Sequence, residues 1–132
     1  MTYKTKSVAD NFFMAKCGLE GALLAAKRCV RTKTISLPYQ EGATRIEKAE
    51  NMAEVFDLCG YDIIMDDDGN ITHITKWTTR QWGELLMFEA IAPFVRRKSY
   101  IGYMCELRGQ FRYVWTGTTC RIITPTLTWE ET

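Results

Sequence analysis

The sequence predicts an α+β fold in which an N-terminal helical bundle packs against a C-terminal antiparallel sheet carrying one helix. Three observations support this. Up to Gly60 the apolar residues recur at three- and four-residue steps, the spacing of one helix face. After Gly60 the period falls to two, the mark of a strand with one buried face. Turn dipeptides at Asp68-Gly69, Arg108-Gly109 and Thr116-Gly117 divide that second part into short runs. Residues 1–60 are expected to form the helical subdomain and 61–132 the sheet-plus-helix subdomain. Composition is that of a globular chain, with 46% hydrophobic and 25% charged residues.

In chain order, a first helix is expected after Ser7, which would act as N-cap with Asp10 in the first turn. Val8, Phe12 and Ala15 would form its apolar face, joined by Phe13 and Met14, and Gly18 would end it. A second helix should run from Leu19 to about Arg28, with Leu23 and Leu24 buried. The stretch 31–44 is polar and interrupted by Pro38 and Gly42. Helical spacing returns with Ala49, Met52, Ala53, Phe56 and Cys59, and Gly60 supplies a stop. "YDIIMDDDGNITHIT" then reads as a hairpin turning at Asp68-Gly69. Thr78 followed by Gln81 suggests a capping box. The helix it opens would bury Trp82, Leu85, Phe88, Ala92 and Val95 and end or bend near Pro93. Strands follow, in which Ile101, Tyr103, Cys105 and Leu107 alternate, then Phe111, Tyr113 and Trp115.

Charge and cysteine usage narrow the function classes. The net charge is +1, with nine basic and seven acidic residues through Gly60 and eight and nine after it. This is not the strongly basic body of a protein held on DNA mainly by phosphate neutralisation, although a local patch is compatible with binding. Five cysteines at 17, 29, 59, 105 and 120 form no Cys-x-x-Cys pair. No secretory signal or bilayer-length apolar run is visible, so reduced thiols in a cytosolic protein are expected. With His73 as the only histidine, neither a zinc site nor any cofactor is expected.

Other chemistry is weak. In "DDDGN", Asp66, Asp68 and Asn70 have calcium-loop spacing, but the required glycine position holds Ile71 and the twelfth position holds Trp77. A solvated turn explains the segment better. Phe111, Tyr113 and Trp115 read as core aromatics in preference to a stacking platform. The cluster Arg96, Arg97, Lys98 either complements a helix end or contacts a phosphate or an acidic protein patch. His73 has no evident nucleophile or metal beside it. A non-enzymatic role is expected.

Within "GLEGALLAAKRCVRTKTIS", Gly18-Leu19, Leu24-Ala25, Val30 and Thr34-Ile35-Ser36 stand in the spacing of the Cro/C1 or XRE family. The chain resembles that repressor-type helix-turn-helix over about residues 18–63, where "KAENMAEVFDLCGYDII" is similar to the family's later helix. The resemblance implies a helix-turn-helix-like bundle with Leu24 and Ala25 inward, Val30 pinning the turn and Ile35 anchoring the second helix. Arg31, Thr32, Lys33, Thr34 and Ser36 would then face phosphates or base edges. The chain departs from the family at Gly21, where glutamine is common, at Arg28 and Cys29, and at Pro38. A proline beyond the first helical turn costs about 3 kcal/mol or more, so the second helix should be short or broken before "PYQEG".

Two functional expectations follow. In the first, the chain is a phage or mobile-element interaction protein that binds a nucleic-acid-handling protein or nucleoprotein complex. Its plan is similar to that of phage anti-CRISPR proteins joining a helix-turn-helix domain to a second domain, which implies a Cas nuclease in the bacterial cytoplasm as target. In the second, it is a transcriptional regulator whose residues Arg31 to Ser36 read duplex DNA and whose sheet forms a homodimer. No membrane partner is expected in either case.

Overall fold

The computed structural model describes residues 5–33, 42–78, 82–105, 109–125 and 129–131. The fold is α+β, as the patterning predicts. Strand β1 (Thr5–Asn11) leads into a 3-10 turn at Lys16–Gly18 and helix α1 (Leu19–Thr32). Helices α2 (Gly42–Glu47) and α3 (Met52–Leu58) complete a bundle with α1. The hairpin β2 (Tyr61–Met65) and β3 (Ile71–Lys76) follows, then α4 (Glu84–Ala90) and a 3-10 turn at Ala92–Phe94. Strands β4 (Tyr100–Cys105), β5 (Gly109–Trp115), β6 (Cys120–Pro125) and β7 (Trp129–Glu131) form a meander. The main sheet has the order β1-β4-β5-β6-β7 and is antiparallel throughout.

The expected first helix is a strand. Residues 5–11 pair with β4 in a register running from Thr5 opposite Cys105 to Asn11 opposite Tyr100, with a bulge between Ser7 and Ala9. The helical part therefore starts at Leu19 and not at Ser7. The reason is tertiary: β4 offers an open edge, and its ladder outweighs a weak local preference. Phe12 and Met14 are buried while Phe13 between them is half-buried, a period-two pattern. Met14 exchanges backbone hydrogen bonds of 2.9 and 3.0 Å with Ile71, which fastens this segment to the hairpin. Gly18 precedes α1 instead of ending a helix.

Three helix expectations also change. Helix α1 runs unbroken through Cys29 and Val30 to Thr32, where a break had been expected, because Ala22, Ala26 and Cys29 keep one continuous stripe against the core. Leu24 points outward at 62% exposure, and Leu23 is half-buried. The later helical spacing is divided, since Asn51 opens α3 by accepting the Glu54 N–H at 2.9 Å. Ala49 is buried ahead of that cap. Helix α4 begins at Glu84 after left-handed Gly83, later than Thr78, while residues 79–81 of the proposed capping box lie outside the described residues.

The hairpin forms where Asp68-Gly69 predicted it. Asp66 Oδ1 accepts the Asp68 and Asn70 backbone N–H groups, and Gly69 has φ 88°. Hydrogen bonds from the Asn70 side chain and backbone hold the Asp66 carboxyl below its usual range, so this contribution is lost as falling pH protonates it. A bulge between Ile64 and Met65 turns both side chains to solvent.

One apolar cluster joins bundle and sheet, including Phe12, Ile46, Phe56, Phe88 and Trp115. Phe111, Tyr113 and Trp115 all lie on its inner side, which bears out their assignment to the core. Gly21 has a packing role there. A Cβ at Gly21 would stand 2.9 Å from Phe94 Cζ, so the absent side chain lets this ring lie on the α1 backbone. Gly21→Leu is expected to displace Phe94 and destabilise by about 1–3 kcal/mol, as overpacking does. A higher urea midpoint for this variant would contradict that packing.

Candidate functional site

An open groove of about 880 Å³ runs along α1 beside α4. Helical spacing builds its α1 wall: Leu24, Arg28 and Arg31 lie four and three residues apart and share one face. Leu86, Glu89 and Ala90 of α4 form the opposite wall, and Phe94 closes the end near Gly21. Leu24 and Leu86 are 62% and 40% exposed, so the floor presents apolar surface to solvent. Cations gather at the other end. Arg28, Arg31 and Lys33 are exposed there, and Arg31 Nε and the Thr32 hydroxyl each donate to carbonyls one turn back, at 3.3 and 2.9 Å.

Of the residues singled out in the sequence, Arg31, Thr32 and Lys33 line this groove, whereas Thr34 and Ser36 lie outside the described residues. Arg96, Arg97 and Lys98 occupy the turn before β4, all exposed. Arg96 lies 4.5 Å from the Phe13 ring centroid and donates its N–H to the Phe13 carbonyl at 2.9 Å. The two basic groups are not brought together. The Ala92–Phe94 turn that leads to Arg96 meets the first turn of α1, whereas Arg31 lies in its last, about 15 Å farther along by the rise of 1.5 Å per residue. Sequence reading missed Leu24, Leu86, Glu89 and Phe94 as site residues. The signal was the pairing of an outward leucine with arginine one turn later, obscured by assigning Leu24 to the core.

The chemically distinctive side chains elsewhere are sealed. Glu84 Oε2 accepts from Lys76 Nζ at 2.9 Å and from the Tyr61 hydroxyl at 3.2 Å, and the Tyr61 and Tyr103 hydroxyls stand 2.7 Å apart. The Lys76 and Glu84 side chains are 0% and 2% exposed. Burial, reinforced by Glu84, raises both Tyr61 and Tyr103 well above the ordinary phenol value, although the Tyr61 hydrogen bond pulls Tyr103 the other way, and both stay neutral. No substrate can reach this cluster without opening the core.

Four of the five cysteines are buried as well, whereas Cys17 is exposed. Burial raises Cys29 beside the groove, with Lys33 pulling the other way, and its Sγ lies 3.7 Å from the Leu86 carbonyl. Burial also pushes Cys59 and Cys120 upward. These three therefore carry little thiolate, the form that attacks or binds metal. His73 is exposed and faces Asp10 at 3.4 Å, with its Nδ1 toward the carboxylate. Among the described residues no three His, Cys, Asp or Glu side chains converge as a metal site, and no helix is long and apolar enough to cross a membrane. In comparisons with known proteins, no family model, curated protein or solved structure matches this chain.

Proposed function

We propose that this chain is a non-enzymatic interaction protein, of phage or mobile-element type, that binds a nucleic-acid-handling complex through the α1–α4 groove and regulates or inhibits it. The observation that carries this reading is the juxtaposition of exposed Leu24 and Leu86 with Arg28, Arg31 and Lys33 along one open groove. Such a groove suits an amphipathic segment of a partner protein, with apolar side chains between the helices and acidic ones at the cationic end. The plan-level resemblance puts a Cas nuclease first among the complexes to test. The proposed site of action is the bacterial cytoplasm, a compartment that keeps thiols such as Cys29, Cys59 and Cys120 reduced.

The second reading, a duplex-DNA regulator, is favoured by the same three cations. It is the weaker physically. A recognition helix needs a projecting face to enter a major groove about 12 Å wide. Helix α1 instead packs against α2, α3 and α4 and leaves a concave stripe.

The two readings part in affinity capture from a bacterial host, with and without nuclease, using wild type and Arg31→Glu/Lys33→Glu. The expected result is a protein partner retained after nuclease treatment and bound at least about tenfold more weakly by the double variant, as reversing charges at a contact requires. Capture that disappears with nuclease, together with sequence-preferring duplex binding by the purified protein, would replace this reading with the regulator. Undiminished capture by the double variant would remove the groove as the site.

A further inference from the structure

The helices cover one face of the main sheet, and the opposite face carries a different constellation. Phe111, Tyr113 and Trp115 of β5 point into the core, so Arg112 and Val114 between them face outward. They line a hollow of about 350 Å³ together with Arg97, Lys98, Tyr100 and Ile123. The Arg112 guanidinium lies 4.2 Å from the Tyr100 ring centroid. Its stem reaches there over Gly102, where a Cβ would stand 3.9 Å from Arg112 Cγ. Arg97 and Lys98 form the lip. Lys98 has φ 74°, a conformation that non-glycine residues rarely adopt. It is held by its N–H bond to the Trp115 carbonyl at 2.9 Å and by the Ser99 N–H bond to the Arg96 carbonyl at 3.0 Å.

Three cations and one stacked aromatic thus share a concavity at the small end of ligand-pocket size. Cations alone would suit any anion. A planar guanidinium lying on a ring, flanked by Val114 and Ile123, adds a flat surface suited to an unpaired base. A duplex keeps its bases stacked and its phosphates on a convex ridge, which a shallow hollow on a sheet does not match.

We propose that this hollow binds one nucleotide of a single-stranded nucleic acid, with its phosphate at Arg97 and Lys98 and its base on the Arg112–Tyr100 stack. The inference does not rest on the α1–α4 groove, because the two lie on opposite sides of the sheet. Sequence reading singled out Arg97 and Lys98 but assigned them no such companions.

The test is fluorescence anisotropy with fluorescein-labelled oligothymidylate and, separately, oligouridylate, which distinguishes DNA from RNA. Binding by at least one is expected, with log affinity falling against log salt at a slope of about −0.7, the value for one phosphate neutralised on a single strand. Arg97→Glu/Lys98→Glu should weaken binding at least about tenfold, since two of the contacts become repulsive. Tyr100→Leu, which keeps apolar bulk, should weaken it with little change in salt slope. Arg31→Glu/Lys33→Glu should leave it intact, so failure here and failure of the groove are separately visible. Absence of binding at low salt, or undiminished binding by Arg97→Glu/Lys98→Glu, would overturn the proposal. Displacement by polyglutamate as effective as by unlabelled oligonucleotide would overturn it as well, in favour of an acidic protein segment.

Discussion

Glu84→Ala is expected to lower folding stability by about 3–5 kcal/mol, the cost of leaving one member of a buried ion pair without its partner. Glu84 accepts three hydrogen bonds: from Lys76 Nζ at 2.9 Å, from Tyr61 at 3.2 Å and from the Trp82 backbone N–H at 2.9 Å. Among the described residues, its removal leaves the Lys76 ammonium with only the Tyr103 ring, 5.8 Å from its centroid. Lys76→Met should cost less, because the carboxylate keeps its Tyr61 and Trp82 donors. In Lys76→Met/Glu84→Leu no charge remains buried, so the double variant should be more stable than Glu84→Ala alone. Urea unfolding of the three variants checks this order. A Glu84→Ala cost below about 1 kcal/mol would mean that water reaches Lys76 and that the pair is not sealed. The pair also bears on architecture. Lys76 donates its backbone N–H to the Ser7 hydroxyl at 3.0 Å, so the network ties β1, β3, β4 and the start of α4 together.

Trp115→Ala is expected to destabilise by about 3–5 kcal/mol, the range for truncating a large core aromatic. Trp115 is 0% exposed, and its ring centroid lies 5.3 Å from that of Phe12 and 5.0 Å from that of Phe88. Its Nε1 donates to the Phe88 carbonyl at 3.0 Å. The side chain therefore stands where β5 and α4 meet the segment just after β1. Trp115→Phe keeps most of the volume and removes the donor, for which about 1–3 kcal/mol is expected. Denaturation midpoints, with near-ultraviolet circular dichroism to report packing, separate the two costs. Equal losses in both variants would show that the hydrogen bond outweighs the packing. A Trp115→Ala loss near 1 kcal/mol would show that these three parts do not depend on this ring for their contact.

The candidate surfaces were only partly legible in the chain. Arg31, Lys33, Arg97 and Lys98 stand out because exposed cations in short runs are visible in any sequence. What they act with is not visible. Leu24 belongs to an amphipathic helix and would ordinarily be counted inward, yet Ala22, Ala26 and Cys29 make the inner stripe and send it to solvent. Small residues allow close packing, and a pattern weighted by side-chain size misplaces that stripe. Tyr100 and Arg112 come from neighbouring strands, and their stacking depends on a β4–β5 register in which Gly102 lies opposite Arg112.

The chain by itself determined the α+β class, the hairpin at Asp68-Gly69, the stop at Gly60 and the inward face of β5. Each depends on periodicity or on glycine tolerance of positive φ, and both are local properties. Only the tertiary structure decided that residues 5–11 form a strand, that α1 continues through Cys29 and Val30, and that Lys76 and Glu84 are buried together. Those outcomes depend on an edge strand to pair with, a core to cover and a counter-charge to meet. The edge strand lies about 90 residues from its partner, and Glu84, only eight residues from Lys76, meets it through a chain reversal between β3 and α4 that short-range patterning does not reveal.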